Sequence, residues 1–244
     1  MYKKILLIVF SVILCCGISI KAQTVDEIID KHYEAIGGKE NWEALKTMKT
    51  TGSMVMGPGM SLDLTIMLKR PDKTLLTIEF QGQKLIQAYN VDHGWTINPF
   101  EGSNEPKKMK DEEAKDIKEM ADMGGKMMNY KSKGYSAELI GKEELDGTGV
   151  YHITLTSSDG DVTHYYMDTE NYMILKSAGI KKKKDKEMES ETFFSNYKKV
   201  DGLIIPFSME QKLSENPMGT QKILLTKVEF NVDIDDEVFK MPTK

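Results

Sequence analysis

Met60-Ser61-Leu62-Asp63-Leu64-Thr65-Ile66-Met67-Leu68-Lys69, followed by Arg70-Pro71-Asp72-Lys73, is the stretch that decides the fold. Met60, Leu62, Leu64, Ile66 and Leu68 alternate with Ser61, Asp63, Thr65, Met67 and Lys69. A period of two marks a half-buried strand. Gly57-Pro58-Gly59 turns the chain before it, and Arg70-Pro71-Asp72-Lys73 turns it again. Leu76, Ile78 and Phe80 line one face of the next strand, and Gln81-Gly82-Gln83 and Asp92-His93-Gly94 punctuate two more. Strands this closely spaced, joined by short turns, imply an antiparallel meander.

Upstream, Thr24-Val25-Asp26-Glu27 has the form of a capping box. Val25, Ile28, Ile29, His32 and Ile36 follow at helical spacing, and Gly37-Gly38 supplies a C-cap. A second short helix is expected over Glu40–Leu45, with Trp42 and Leu45 on one side. Downstream, residues 99–128 are polar and then helical. Ala114, Ile117, Met120, Ala121 and Met123 are spaced among charged residues, and Gly124-Gly125 ends the segment. From Leu139 the two-residue period returns in seven further strands, with turns at Asp146-Gly147, Asp159-Gly160-Asp161, Asp201-Gly202 and Asn216-Pro217.

These elements predict one α+β domain over residues 23–244. Its sheet is a half-barrel meander of about ten or eleven strands, curled as an unclosed antiparallel β-barrel to manage its edges. The N-terminal helix and the helical insertion, about residues 106–128, are expected to pack in the concave face, the insertion acting as a lid over an apolar pocket.

Residues 1–22 have the form of an export signal: Lys3 and Lys4, an apolar run over Ile5–Ile20, and a small residue, Ala22, at the expected cleavage point. Two other readings are a retained membrane anchor and lipidation at Cys15 or Cys16. The run is short for a span of roughly 20 residues. Leu14 and Cys15, which precede the two cysteines, are not the small residues that lipidation favours. Cleavage removes three of the 33 basic residues and leaves 30 against 38 acidic ones, a net charge of −8. A nucleic-acid partner with a basic footprint is therefore not expected. Cleavage also removes both cysteines, which excludes disulfides, thiolate metal sites and a cysteine nucleophile from the mature chain.

The chemical motifs are sparse. The histidines are His32, His93, His152 and His164, with no HExxH and no pair at helical spacing. His152 and His164 fall on neighbouring predicted strands and can meet across a hairpin, as a metal pair or as ordinary strand residues. No GxSxG elbow and no glycine-rich phosphate loop after a strand occurs. Asp233, Asp235 and Asp236 lack the glycine and closing glutamate of an EF-hand loop. No enzyme, no cofactor and no metal is expected. Lys181-Lys182-Lys183-Lys184 with Lys186 forms a solvated hairpin loop or a contact for an anionic surface.

Methionine is the compositional anomaly, with 17 in the chain, clustered at Met54, Met56, Met60 and Met67 and at Met120, Met123, Met127 and Met128. Core packing, an adaptable apolar surface and Cu(I) binding are the three readings. Arg70 is the sole arginine. If the alternation of Met60 to Leu68 continues, it points inward and requires acceptors: helix C-terminal carbonyls, a carboxylate or ligand oxygens. If the strand ends at Lys69, it is a solvated turn residue.

Met67-Leu68-Lys69-Arg70-Pro71-Asp72-Lys73, Val91-Asp92-His93-Gly94-Trp95-Thr96-Ile97-Asn98-Pro99-Phe100 and Asp235-Asp236-Glu237-Val238-Phe239-Lys240-Met241-Pro242 resemble, in order and spacing, the outer-membrane lipoprotein-sorting (LolA/LolB-like) family. Ala35-Ile36-Gly37-Gly38, Trp42 and Tyr197-Lys198-Lys199-Val200-Asp201-Gly202-Leu203-Ile204-Ile205-Pro206 resemble an exported, sorting-protein-like branch. The resemblance implies an unclosed β-barrel with a helical lid that binds acyl chains of lipoproteins or other lipids and carries them through the periplasm. It implies Arg70 as a latch bonded to the lid helices, and an inner-membrane donor and an outer-membrane acceptor as partners. The insertion after Phe100, the lysine run and the dense methionines depart from that family's pattern.

The expected function is a periplasmic, monomeric, non-enzymatic carrier or binder of hydrophobic ligands. Its pocket is expected to be lined by Met60, Leu62, Leu64, Ile66, Leu68, Leu76, Ile78, Phe80 and Trp95, with Ile117 and Met120 from the lid. The alternative is an envelope interaction or sensor module with the same fold and no lipid cargo.

Overall fold

The computed structural model describes residues 23–57, 59–183, 186–214 and 219–243. The expected signal segment, the tip of the lysine run and the Asn216-Pro217 turn lie outside them. Among the described residues, helices α1 (Val25–Ala35) and α2 (Lys39–Ala44) precede strands β1 (Thr47–Val55), β2 (Ser61–Lys69), β3 (Lys73–Phe80), β4 (Gln83–Asn90), β5 (His93–Asn98) and β6 (Ser103–Lys108). Helix α3 (Asp111–Glu119) follows, then β7 (Ser136–Leu145), β8 (Thr148–Thr156), β9 (Val162–Asp168), β10 (Ile174–Lys183), β11 (Lys186–Val200), β12 (Leu203–Leu213) and β13 (Gln221–Phe230).

All thirteen strands form one open sheet in the order β6-β5-β4-β3-β2-β1-β13-β12-β11-β10-β9-β8-β7. The α+β half-barrel is as expected, with two strands more than the sequence suggested. They are β1, whose Thr47-Met48-Lys49-Thr50-Thr51-Gly52 text hides its alternation, and β6, a polar edge strand. The join of β1 to β13 brings the two ends of the chain together and lets two meanders act as one surface.

Register fixes which residues share a face. Leu62, Leu64, Ile66 and Leu68 stand opposite Met54, Gly52, Thr50 and Met48 of β1, and Ile66 and Leu64 stand opposite Leu76 and Ile78 of β3. This is the inner face, because Leu68 joins the core that buries Ile28, Ile29, Tyr33, Trp42 and Leu45 of the first two helices.

Helix α1 forms where the capping box places it. Thr24 Oγ1 accepts from Glu27 N at 3.2 Å, and Glu27 Oε2 accepts from Thr24 N at 2.9 Å. Its buried side packs over Tyr151, Ile153, Leu155, Met167, Leu203, Ile205 and Phe207 of the C-terminal strands. The helix stops at Gly37, where a Cβ would lie 2.5 Å from Gly202 O, so the turn between β11 and β12 fits only against a glycine. Ile204 N donates to Ile36 O across that contact at 2.9 Å.

The outer face is covered at one end by the closing segment, residues 231–243. Lys69 Nζ donates to Ile234 O at 2.7 Å. Asp236 pairs with Lys69 at 2.8 Å and Lys73 at 3.0 Å, and hydrogen bonds from both lysines hold its carboxyl below the ordinary range. Phe239 is fully buried.

Candidate functional site

The helices cover the inner face unequally. Near α1 and α2 the inward residues Leu68, Ile153, Leu155, Leu203, Ile205 and Phe207 are buried, with Met48 and Phe230 half-buried beside them. Toward the opposite ends of the strands, Leu62, Leu64 and Ile78 form a separate cluster ringed by half-buried Met54, Met56, Met60, Ile66, Leu76, Phe80, Leu85 and Ile223. Seven of the eleven pocket residues expected from sequence, Met60, Leu62, Leu64, Ile66, Leu76, Ile78 and Phe80, are brought together here. Leu68 instead belongs to the core under α1.

Cross-strand pairing extends this apolar surface. Leu62 pairs with Met54, Met54 with Ile223, Ile223 with Met209, and Met209 with Phe194. A single row of large apolar side chains therefore crosses five adjacent strands on the inner face. Met54, Ile223, Met209 and Phe194 are only half-buried. The sequence offers no pocket residue on β11, β12 or β13, because nothing local in those strands says which of their residues face β2.

Helix α3 crosses the N-terminal strands. Ala114 and Ile117 pack with Tyr89 and Met109, and Met120 and Leu76 flank them. Ile117 and Met120 are thus in one cluster with Leu76. Two salt bridges from the second half of the helix tie it to different turns: Lys115 to Asp159 in the β8–β9 turn at 2.8 Å, and Lys118 to Asp72 in the β2–β3 turn at 3.7 Å. Exposed pairs of this kind contribute little each and release easily. The loop after α3 is tied to α1 by Tyr33 Oη, which donates to Gly124 O at 2.8 Å, and by Tyr130 Oη, which donates to Asp26 Oδ1 at 2.7 Å.

Trp95 does not join the pocket. Gly94 occupies the inward position on β5, where a Cβ would lie 2.8 Å from Ala114 Cβ, so the next residue points outward. The Trp95 indole is buried beneath the closing segment and donates from Nε1 to Phe239 O at 2.8 Å.

Arg70 is not a solvated turn residue. Its Nε donates to Leu45 O at 2.8 Å and its Nη2 to Trp42 O at 3.3 Å. Its acceptors are the carbonyls that end α2, a favourable place for a cation. The latch bonds go to α2, and α3 lies across a cavity of about 520 Å³ lined by Arg70, Asp72, Lys118 and Asp122.

A second cavity, about 310 Å³, lies between α3 and the inner face of β9–β11. It is lined by Glu112, Lys115, Asp116, Glu119, Lys126, Asp161, Thr163, Tyr165, Ser177, Gly179 and Ser190, among others. Lys126 and Glu119, both in its lining, pair at 2.9 Å. Burial disfavours the Lys126 ammonium, but the Glu119 carboxylate more than offsets this and raises its pKa. Burial raises the Tyr165 phenol well above its ordinary value and keeps it neutral. The sequence reading missed this wall. Its signal was the short residues Thr163, Ser177, Gly179 and Ser190 where a core strand carries Leu or Val.

His152 and His164 do meet, on the outer face: His152 Nε2 lies 2.8 Å from His164 Nδ1, and His152 Nδ1 lies 2.6 Å from Glu143 Oε1. Among the described residues, no group of three or more acidic, histidine or cysteine side chains is arranged to hold a metal ion.

Comparison with solved structures agrees with this architecture. A DUF1329 family protein from Desulfovibrio piger matches with a TM-score of 0.61 at 15% identity, covering 89% of this chain and 98% of that one. A LolA superfamily protein from Nitrosomonas europaea matches at 0.59 and 12% identity, over 89% and 97%. A putative outer membrane lipoprotein-sorting protein domain from Vibrio parahaemolyticus matches at 0.58 and 14% identity, over 87% and 94%. At these identities the likeness is one of fold. No curated protein matches the sequence. A sequence model described as that of an uncharacterized protein matches residues 106–243, more than half of the chain. The chain belongs to the family of that model, and its fold is the open half-barrel shared with proteins of the LolA superfamily.

Proposed function

We propose that this protein is a non-enzymatic binder or carrier of acylated or otherwise hydrophobic ligands in the cell envelope. The observation that supports the reading is the row Leu62–Met54–Ile223–Met209–Phe194 on the inner face of an open sheet, half-buried at every position but Leu62. Apolar side chains aligned across five strands and only partly covered by their own helices form a surface that gains from a further apolar occupant. Methionines at two of the five positions suit flexible chains of variable shape.

The energetics fit a reversible carrier. A chain of about 14 methylenes at roughly 0.8 kcal/mol each contributes about 11 kcal/mol before the costs of association are subtracted. Helix α3 is held by two exposed salt bridges and a small apolar contact. Arg70 anchors the end of α2 beside it. Affinity then comes from buried area, and release comes from loosening these few tethers.

Uptake of an apolar fluorescent probe tests this reading. The wild-type protein is expected to bind the probe, and Met54→Glu and Met209→Glu, both at half-buried positions, are expected to lose it while keeping the wild-type circular dichroism. Wild-type protein that takes up no probe contradicts the reading and favours an envelope interaction module with a filled core.

A further inference from the structure

The apolar row ends at Phe194 on β11, and the inner face changes character beyond it. Thr192 of β11 faces Ser177 of β10, Ser190 faces Gly179, Ser177 faces Tyr165 of β9, and Gly179 faces Thr163. Thr163, Tyr165, Ser177, Gly179 and Ser190 floor the cavity of about 310 Å³ beneath α3. Within the described residues, the hydroxyls of Thr163, Tyr165 and Ser177 have no hydrogen-bond partner. Ser190 Oγ has only a long contact of 3.4 Å to Gly179 O. Hydroxyls left unpaired on a cavity wall are donors and acceptors available to a ligand.

The charge of the lining narrows the ligand class. Glu112, Asp116, Glu119 and Asp161 outnumber Lys115 and Lys126 by two. Lys126 is already committed to Glu119, and Lys115 to Asp159. Among the described side chains of the lining, a phosphate or carboxylate head meets a surplus of like charge and no free cation to pair it. An uncharged polyol matches the hydroxyls and meets no such penalty. The apolar row that leads away from this cavity spans four inter-strand spacings, about 19 Å, the reach of a long extended acyl chain.

We propose that the cavity between α3 and β9–β11 receives the uncharged, hydroxyl-rich headgroup of an amphiphile, a sugar or glycerol unit, whose acyl chain lies along Phe194, Met209, Ile223, Met54 and Leu62. The proposal rests on the hydrophobic-ligand reading above and names the ligand class for that site. Thr163, Ser177 and Tyr165 act as selectivity residues, through hydrogen bonds to the head.

Dodecyl glucoside, dodecyl phosphate and free glucose, each below any micellar concentration, test it by calorimetry, with the apolar probe as reference. Dodecyl glucoside is expected to bind more tightly than dodecyl phosphate. Replacing Thr163 by Val and Ser177 by Ala together removes two hydroxyls without adding bulk and is expected to weaken the glucoside about tenfold. Probe uptake should not change. Equal affinity for the phosphate, or an unchanged glucoside affinity in the double variant, overturns the headgroup assignment while probe uptake keeps the apolar reading intact. Free glucose binding as tightly as the glucoside overturns the amphiphile in favour of a plain sugar site. Loss of all binding, the probe included, overturns both.

Discussion

The Arg70 guanidinium donates to the carbonyl oxygen of Leu45 at 2.8 Å, so the sole arginine of the chain closes the end of α2, and among the described residues it pairs with no carboxylate. Its backbone N–H also donates, to Lys46 O at 3.0 Å. Side chain and main chain together staple the β2–β3 turn to the segment that leads into β1. Arg70→Met keeps the apolar stem and removes the donors, leaving the Leu45 and Trp42 carbonyls without these partners. The expected cost is about 1–3 kcal/mol in urea unfolding, with faster release of bound probe. Arg70→Lys recovers part of it, because one ammonium cannot reproduce the forked geometry. Unchanged stability in Arg70→Met contradicts the staple.

Trp95 and the inner face act independently. Trp95→Phe leaves Phe239 O without its donor beneath the closing segment. A loss of about 1–3 kcal/mol is expected, with probe affinity unchanged. A drop in probe affinity with stability intact would place the indole in the ligand surface after all.

Gly94 sets how closely α3 sits. A Cβ there lies 2.8 Å from Ala114 Cβ and 3.0 Å from Met109 Sδ. Gly94→Ala therefore displaces the helix, and a cost of about 1–3 kcal/mol follows from overpacking. Amide exchange over residues 111–119 is expected to quicken in this variant, while exchange in β12 and β13 stays at the wild-type rate. Uniform acceleration across the sheet would show that α3 is not a separable element.

Acid sensitivity has a defined source in His32. Burial lowers its pKa from 6.5 to about 4, while Nδ1 keeps a bond of 2.7 Å to Tyr172 O. The folded state holds this imidazole neutral, whereas the unfolded chain protonates it below about 6.5. Its contribution is thus fully present above that value and is lost as pH falls from about 6.5 to about 4, by roughly 3 kcal/mol in all. The His164 pKa is also lowered, by burial and then by the charge of His152, and acts with the same sign. His32→Asn should flatten the stability profile across this window. A profile as steep as wild type would assign the acid loss elsewhere.

The sequence made the strand Ser61–Lys69 and the capping box of α1 legible because each carries a local signal. One is the alternation of Leu62, Leu64 and Ile66, and the other is the reciprocal pair Thr24 and Glu27. Long-range register was not legible. Trp95 was placed inward because its aromatic character was visible and its parity was not: only the contact of Gly94 with Ala114 shows which way β5 faces. The row from Leu62 to Phe194 joins residues more than 100 positions apart, through the β1–β13 join that no local pattern encodes. The polar wall at Thr163 and Ser177 was missed because short hydroxylated residues in a strand resemble a solvent face until the sheet curls over them.

Purification of the protein from its native source without detergent, followed by lipid mass spectrometry, tests the central claim most directly. The account predicts about one acyl-bearing species per chain, with an uncharged, hydroxyl-rich headgroup, absent from Met209→Glu protein prepared in parallel. Wild-type protein that carries no lipid and takes up no apolar probe would contradict it.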